Sequence, residues 1–167
     1  IREKGTNRAK FMEGLVDKYS WVDIGSSYIL SDLNAAYLYP QLKIFEKINK
    51  KRISIVKTYE KNIKLKKPAY FLEVPRHNSF NGHLCAIVCS DNDQRQKFIK
   101  HMKSNGIITP FHYVSLHTSP YMIKRNSDNL PGTDKLSTCL VRLPLFYKLK
   151  KNDITKIIYQ VNKFFNE

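Results

Sequence analysis

Leu84-Cys85-Ala86-Ile87-Val88-Cys89-Ser90-Asp91-Asn92-Asp93 is the stretch on which the fold turns. Its first six residues form a short, almost wholly apolar run, which suits a buried strand better than a helix. Asp91 or Asp93 then offers a carboxylate to cap the free N–H groups of a following helix. The inner face of that helix would be Phe98, Ile99 and Met102. Asn105-Gly106 closes it with two residues that tolerate a left-handed backbone. A strand feeding directly into an amphipathic helix points to a mixed fold.

Downstream, Ile107-Ile108-Thr109 is expected to be a second strand. Val141-Arg142-Leu143-Pro144-Leu145-Phe146 is expected to be a third, with Pro144 marking a strand end or an edge. Asn152-Asp153 caps a final amphipathic helix bearing Ile154, Ile157, Ile158, Val161, Phe164 and Phe165. Strand, helix, strand, loop, strand and helix make a small α+β lobe. Upstream, Ser31-Asp32 offers an N-cap and a first-turn acid. Leu38, Leu42, Phe45, Ile48, Ile55, Tyr59 and Ile63 then recur at helical spacing, predicting one long helix with a dry face. Pro40 sits inside that pattern and should kink it or split it. Residues 1–30, with Gly5, Gly14 and Gly25, read as turn and loop.

The chain has 167 residues, 42% of them hydrophobic and 12% aromatic, which is enough for one domain with a real core and excludes a disordered tail. No run of 18 apolar residues predicts a membrane span, and no signal peptide is evident. The chain opens on Ile1, so further residues are expected upstream. Twenty-nine Lys and Arg against 14 Asp and Glu give a net charge of +15, which attracts polyanions. The lysines are scattered over helical faces, as at Lys43, Lys47, Lys50, Lys51 and Lys57. That pattern argues against a dedicated nucleic-acid binder, though a basic nucleic-acid- or protein-binding module stands as the alternative. Three cysteines without framework spacing suit a reducing, cytoplasmic setting.

Few groups can do chemistry. Gly25-Ser26-Ser27-Tyr28, just before the cap at Ser31, gathers hydroxyls and backbone N–H groups that suit a phosphate, and equally suit a plain loop. Phe111-His112-Tyr113, with His117 after it, places two imidazoles and a phenol in one loop. They could donate hydrogen bonds to a hydroxylated or phosphorylated ligand, or be ordinary loop residues. No metal is expected, because Cys85, Cys89 and Cys139 do not complete a four-ligand set with the histidines. No Ser-His-Asp set or Walker loop is present.

Four segments together resemble the sugar aminotransferases of the DegT/DnrJ/EryC1/StrS family. They are Arg2-Glu3-Lys4-Gly5-Thr6-Asn7-Arg8; Val16 through Tyr28, containing Trp21-Val22-Asp23-Ile24-Gly25-Ser26-Ser27; Ser31-Asp32-Leu33-Asn34-Ala35-Ala36-Tyr37; and Phe111-His112-Tyr113-Val114-Ser115-Leu116-His117 with Arg142-Leu143-Pro144-Leu145-Phe146-Tyr147. The resemblance spans essentially the whole chain. It implies the C-terminal small lobe of a fold type I pyridoxal-phosphate aminotransferase, preceded by a long linking helix. It also implies a division into 1–35 as a remnant of the large cofactor-binding domain, 36–67 as the linking helix and 68–167 as the small domain. The implied reaction moves an amino group from glutamate to a dTDP-4-keto-6-deoxy sugar, in a homodimer with its site at the subunit interface. The Schiff-base lysine of such enzymes lies upstream of all four segments, so no catalytic residue is expected here and the chain alone is expected not to bind the cofactor covalently. The partners implied are the keto-sugar nucleotide, glutamate, and a homodimer mate or a separate N-terminal half. Many members place Asn-Tyr-Arg before the long helix, reaching across the dimer to the partner's cofactor phosphate. Ser27-Tyr28-Ile29 stands there in this chain, which keeps a hydroxyl at Ser27 and loses the arginine charge. His112, Tyr113 and His117 match the segment lining the sugar-nucleotide pocket.

Overall fold

The apolar run at 84–89 becomes the central strand of a three-stranded antiparallel sheet in a computed structural model. The structure describes Lys10, Glu13, Gly14, Ile24, Tyr28 and residues 30–75, 77–125 and 129–166. The chain divides into two compact units, Ile1–Phe45 and Glu46–Glu167.

Helix α1, Asp32–Lys43, belongs to the first unit. Ser31 caps it, its side chain accepting a hydrogen bond from the Asn34 N–H at 3.3 Å. Pro40 lies inside the helix without breaking it, and the break falls at Ile44. A proline this near the C-terminus forfeits one ladder bond, and the helix ends a turn later. None of the residues of α1 is buried. The expected single dry face therefore begins only in helix α2, Phe45–Asn62, where Ile55, Val56 and Tyr59 are buried. Leu38, Leu42 and Phe45, assigned to that face by periodicity, are exposed. Spacing reports which residues share a side and not whether anything covers them.

The second unit is built on strands β1 (Tyr70–Phe71), β2 (Cys85–Val88) and β3 (Leu140–Leu143), in the order β1-β2-β3. β2 sits opposite β3 with Cys85 against Leu143 and Ala86 against Arg142. All four residues of β2 are buried, because both faces of the sheet are covered. On one face Cys85, Ile87, Val141 and Leu143 meet Ile55 and Tyr59 of α2, Phe98 and Met102 of helix α3 (Asn92–Ser104), and Ile154, Ile157, Val161 and Phe165 of the final helix. On the other, Ala86, Val88 and Leu140 form a smaller cluster with Cys139. Phe98 anchors the main core, its ring 5.1 Å from that of Phe164 and 5.3 Å from that of Phe165. Tyr59 is fully buried and donates its hydroxyl to the Pro144 carbonyl at 2.9 Å, so its polar end is satisfied inside the core.

Asp91 is the cap of α3, with the helix ending at Asn105 and Gly106 taking φ +72°. Between α3 and β3 lie a 3-10 turn at Leu116–Thr118, a short helix α4 at Pro120–Ile123 and helix α5 at Pro131–Cys139. The strand expected at 107–109 does not form. Ile107 and Thr109 are buried and Ile108 is exposed, which is a strand-like alternation, but only Phe111 bridges to Val141. Pro110 has no N–H to extend a ladder at that edge, so pairing stops at one bridge. The last helix, α6, runs from Lys151 to Asn166, with Asn152 and Asp153 inside its first turn and not ahead of it. Among the described residues no helix is long and apolar enough to cross a membrane.

Candidate functional site

The loop between α3 and α5 holds three of the expected site residues. Its first part leaves the core at Thr109 and touches β3, where the Arg142 N–H donates to the Pro110 carbonyl at 2.9 Å. Two residues further, the imidazole of His112 stands edge-on to the ring of Tyr113, with centroids 4.8 Å apart. His112 is half-buried and its Nδ1 is buried without a partner. Tyr113 is 77% exposed and holds a φ of +39°. A bulky side chain in that region costs roughly 1–3 kcal/mol and persists only where its surroundings impose it. Buried hydroxyls on either side, Thr109 Oγ1 and Ser115 Oγ, are also without partners. Three polar atoms of this stretch are thus buried without a protein partner and are open to a water or a ligand.

His117 is held differently. Its Nε2 lies 3.0 Å from Asp134 Oδ1, and its side chain is only 13% exposed. Asp134 comes from the first turn of α5, a helix that the sequence reading missed. Pro131 at the start and an acid three residues on were the available signal. His112 and Tyr113 are thus in contact with each other, while His117 is tied to α5. Tyr28 belongs to the first unit and is 77% exposed. Ser27 lies outside the described residues. Arg142, quoted in the sequence but given no role there, lines a small cavity with His83 and Pro110.

The described residues do not by themselves fit pyridoxal phosphate. All of their lysines are exposed, and a lysine that anchors the cofactor covalently needs an enclosed setting that lets its amine lose a proton. A cavity of about 890 Å³ between α2 and the β1–β2 connection presents Glu60 and Glu73 and no Lys or Arg. Two carboxylates are the wrong charge for a phosphate ester. Among the described residues no three His, Cys, Asp or Glu side chains gather as a metal site. The three cysteines are free and buried, and burial pushes the Cys85 and Cys89 thiols up to about 12.

An antiparallel sheet of three strands with α2, α3 and α6 packed on its main face is the small lobe of a fold type I pyridoxal-phosphate-dependent aminotransferase. Solved structures carry that fold: DesV of S. venezuelae superposes with a TM-score of 0.81 at 21% identity, over 90% of this chain and 41% of its own. A DegT DnrJ EryC1 StrS aminotransferase from Brucella abortus gives 0.76 at 26% identity, over 90% of this chain and 40% of its own. The model of the DegT/DnrJ/EryC1/StrS aminotransferase family matches residues 1–162, and the chain belongs to that family. An uncharacterised protein of Methanocaldococcus jannaschii is 24% identical over 155 residues, 89% of this chain and 40% of the relative. The chain therefore spans about two fifths of the length of the relatives it matches. Pyridoxal phosphate is the cofactor of the full-length enzymes of this family.

Proposed function

We propose that this chain is the C-terminal part of an enzyme that moves the amino group of glutamate to the C4 ketone of a dTDP-4-keto-6-deoxy sugar. The product on this reading is dTDP-4-amino-4,6-dideoxygalactose, a precursor for cell-surface polysaccharide made in the cytoplasm. The family match over nearly the whole chain is the observation that carries the reading. The Helicobacter pylori aminotransferase PseC, whose fold this chain shares with a TM-score of 0.76 at 19% identity, is involved in the biosynthesis of pseudoaminic acid.

The loop residues have distinct parts in this scheme. His112 and Tyr113 offer an imidazole and a phenol to the sugar nucleotide, and the unpartnered Nδ1 of His112 is the atom that best suits a substrate hydroxyl. His117 faces Asp134 with Nε2, which leaves Nδ1 for the ligand. Ser27 and Tyr28 reach across a homodimer to the partner's cofactor phosphate. When bound, the cofactor supplies the electron sink for amino transfer. The division at 35/36 and 67/68 into large-domain remnant, linking helix and small domain belongs to the same proposal.

The chain on its own is inactive in this reading, because the lysine that holds the cofactor comes from outside it. Cofactor titration followed by borohydride reduction and peptide mapping tests that. The expected result is no stoichiometric adduct on any one lysine, and amino transfer only after a separately produced segment bearing the cofactor lysine is added. A single modified lysine, or turnover by the chain alone, sinks the proposal.

A further inference from the structure

Four arginines lie among the described residues, and three of them have a use for the guanidinium. Arg52 donates to the His83 carbonyl. Arg95 donates to the Ser137 carbonyl and to Asn92 Oδ1, both at 2.7 Å. Arg125 stacks on the ring of Tyr121 at 4.6 Å. Arg142 meets no acceptor, carboxylate or ring among the described residues, and its Nε is buried without a partner. A guanidinium keeps its charge at every accessible pH and presents five donors in a fixed fork. The Arg142 Nε is buried without a partner, as are those of Arg52 and Arg95, but Arg142 alone of the three has no acceptor for the rest of its fork, and a ligand or water must supply one.

The surroundings say what kind of ligand. Arg142 sits on β3 opposite Ala86, on the thinly covered face of the sheet. It lines a cavity of about 230 Å³ with His83, Leu84, Pro110, Leu143, Pro144 and Leu145. No carboxylate is in that wall; besides His83 and Arg142 its residues are leucines and prolines. We infer that this cavity is an oxyanion subsite in which Arg142 pairs, fork to fork, with a carboxylate or a phosphate. It is joined to the histidine loop by backbone: the Arg142 N–H bonds Pro110, Phe111 bridges Val141, and His112 follows. Which anion enters rests on the proposed function, under which the carboxylate of glutamate and the diphosphate of the sugar nucleotide are the two sources.

The Arg142 Nε–H resonance of the whole 167-residue chain provides the test. It is followed while sodium phosphate, glutarate or thymidine diphosphate is titrated in at about 0.15 M salt, where loose lysine–anion attraction is screened. At least one of the three shifts it saturably. Glutarate alone would assign the donor carboxylate; phosphate and thymidine diphosphate would assign the nucleotide. R142Q weakens that binding by about tenfold or more, the loss that a missing charge-assisted hydrogen bond implies, and R142K by less. A resonance that none of the probes moves, or affinity unchanged in R142Q, overturns the subsite. The wild-type titration needs no variant to fold. Amino transfer in the reconstituted enzyme with unaltered KM values for R142Q would remove the subsite and leave the transaminase reading standing. Arg142-dependent binding by a chain that never supports amino transfer would do the reverse.

Discussion

Cys85, Cys89 and Cys139 show how far burial decides the behaviour of a single residue. All three are free, and none is more than 5% exposed. Desolvation raises the Cys85 thiol to about 12, with the nearby Glu60 carboxylate adding to it; for Cys89 burial again leads, joined by Cys139. The thiolate is the nucleophile, so at pH 8 the sulfurs of Cys85 and Cys89 are almost wholly in the inert form. Iodoacetamide is therefore expected to leave Cys85 and Cys89 unlabelled in the folded chain and to label both once denaturant is added. Mass spectrometry of the native reaction checks this, and stoichiometric native labelling at either site contradicts it. This much was legible in the sequence, since Cys85 and Cys89 fall inside an apolar run. Arg142 was not. Its neighbours in sequence are apolar, and only the fold reveals that no acid among the described residues lines its cavity.

At the scale of elements, the best-read piece is β2 with α3, because each local signal agrees with the next. Asp91 accepts hydrogen bonds from the Gln94 N–H at 2.8 Å and from Ser90 Oγ at 2.9 Å. The backbone bond from Gln94, then that from Ser90, hold its carboxyl below the ordinary value of 3.8. A carboxylate depressed in the folded state contributes stability that is present above its unfolded pKa and lost as pH falls through the lower folded value. Asp91→Ala should thus lower the melting temperature at neutral pH, and the gap from wild type should close as the pH is taken below 3.8. Asp91→Asn, which keeps a cap oxygen without the charge, should melt between Asp91→Ala and wild type at pH 7 and add no pH dependence of its own. Circular dichroism melts across that range decide it, and a gap that stays constant with pH would refute the linkage. The segment 107–110 was misread for the opposite reason. Its alternation of buried and exposed residues has a strand's period, yet Pro110 and the single bridge at Phe111 leave it without a ladder. Helix α5 escaped notice because Gly132, Thr133, Ser137 and Thr138 are weak helix formers, and contact with α3 and β3 overrides that propensity.

For the molecule as a whole, the decisive contrast is between two sets of apolar residues on successive helices. Ile55, Val56 and Tyr59 are buried, whereas Leu33, Tyr37 and Leu42 are 85%, 78% and 53% exposed. The second unit adds Val114, Leu116, Tyr121 and Ile123 to the exposed set, each beyond 60% or at it. Periodicity in the sequence marks Leu42, Ile55 and Tyr59 alike as one face meant for packing, and it cannot say whether a partner covers each of them. An apolar surface of this extent drives association in water. The chain on its own should therefore sediment as concentration-dependent oligomers despite a charge of +15, which at physiological salt acts over only about 8 Å. Leu33→Glu combined with Leu42→Glu should shift it toward monomer. The same pair should leave the melting temperature of the Glu46–Glu167 unit unchanged, because neither side chain contributes to a core. Sedimentation velocity on wild type and the double variant separates the outcomes. A wild-type chain that stays monomeric at every concentration would mean that these faces are tolerated bare, and a variant that unfolds would mean that α1 carries packing its exposure conceals.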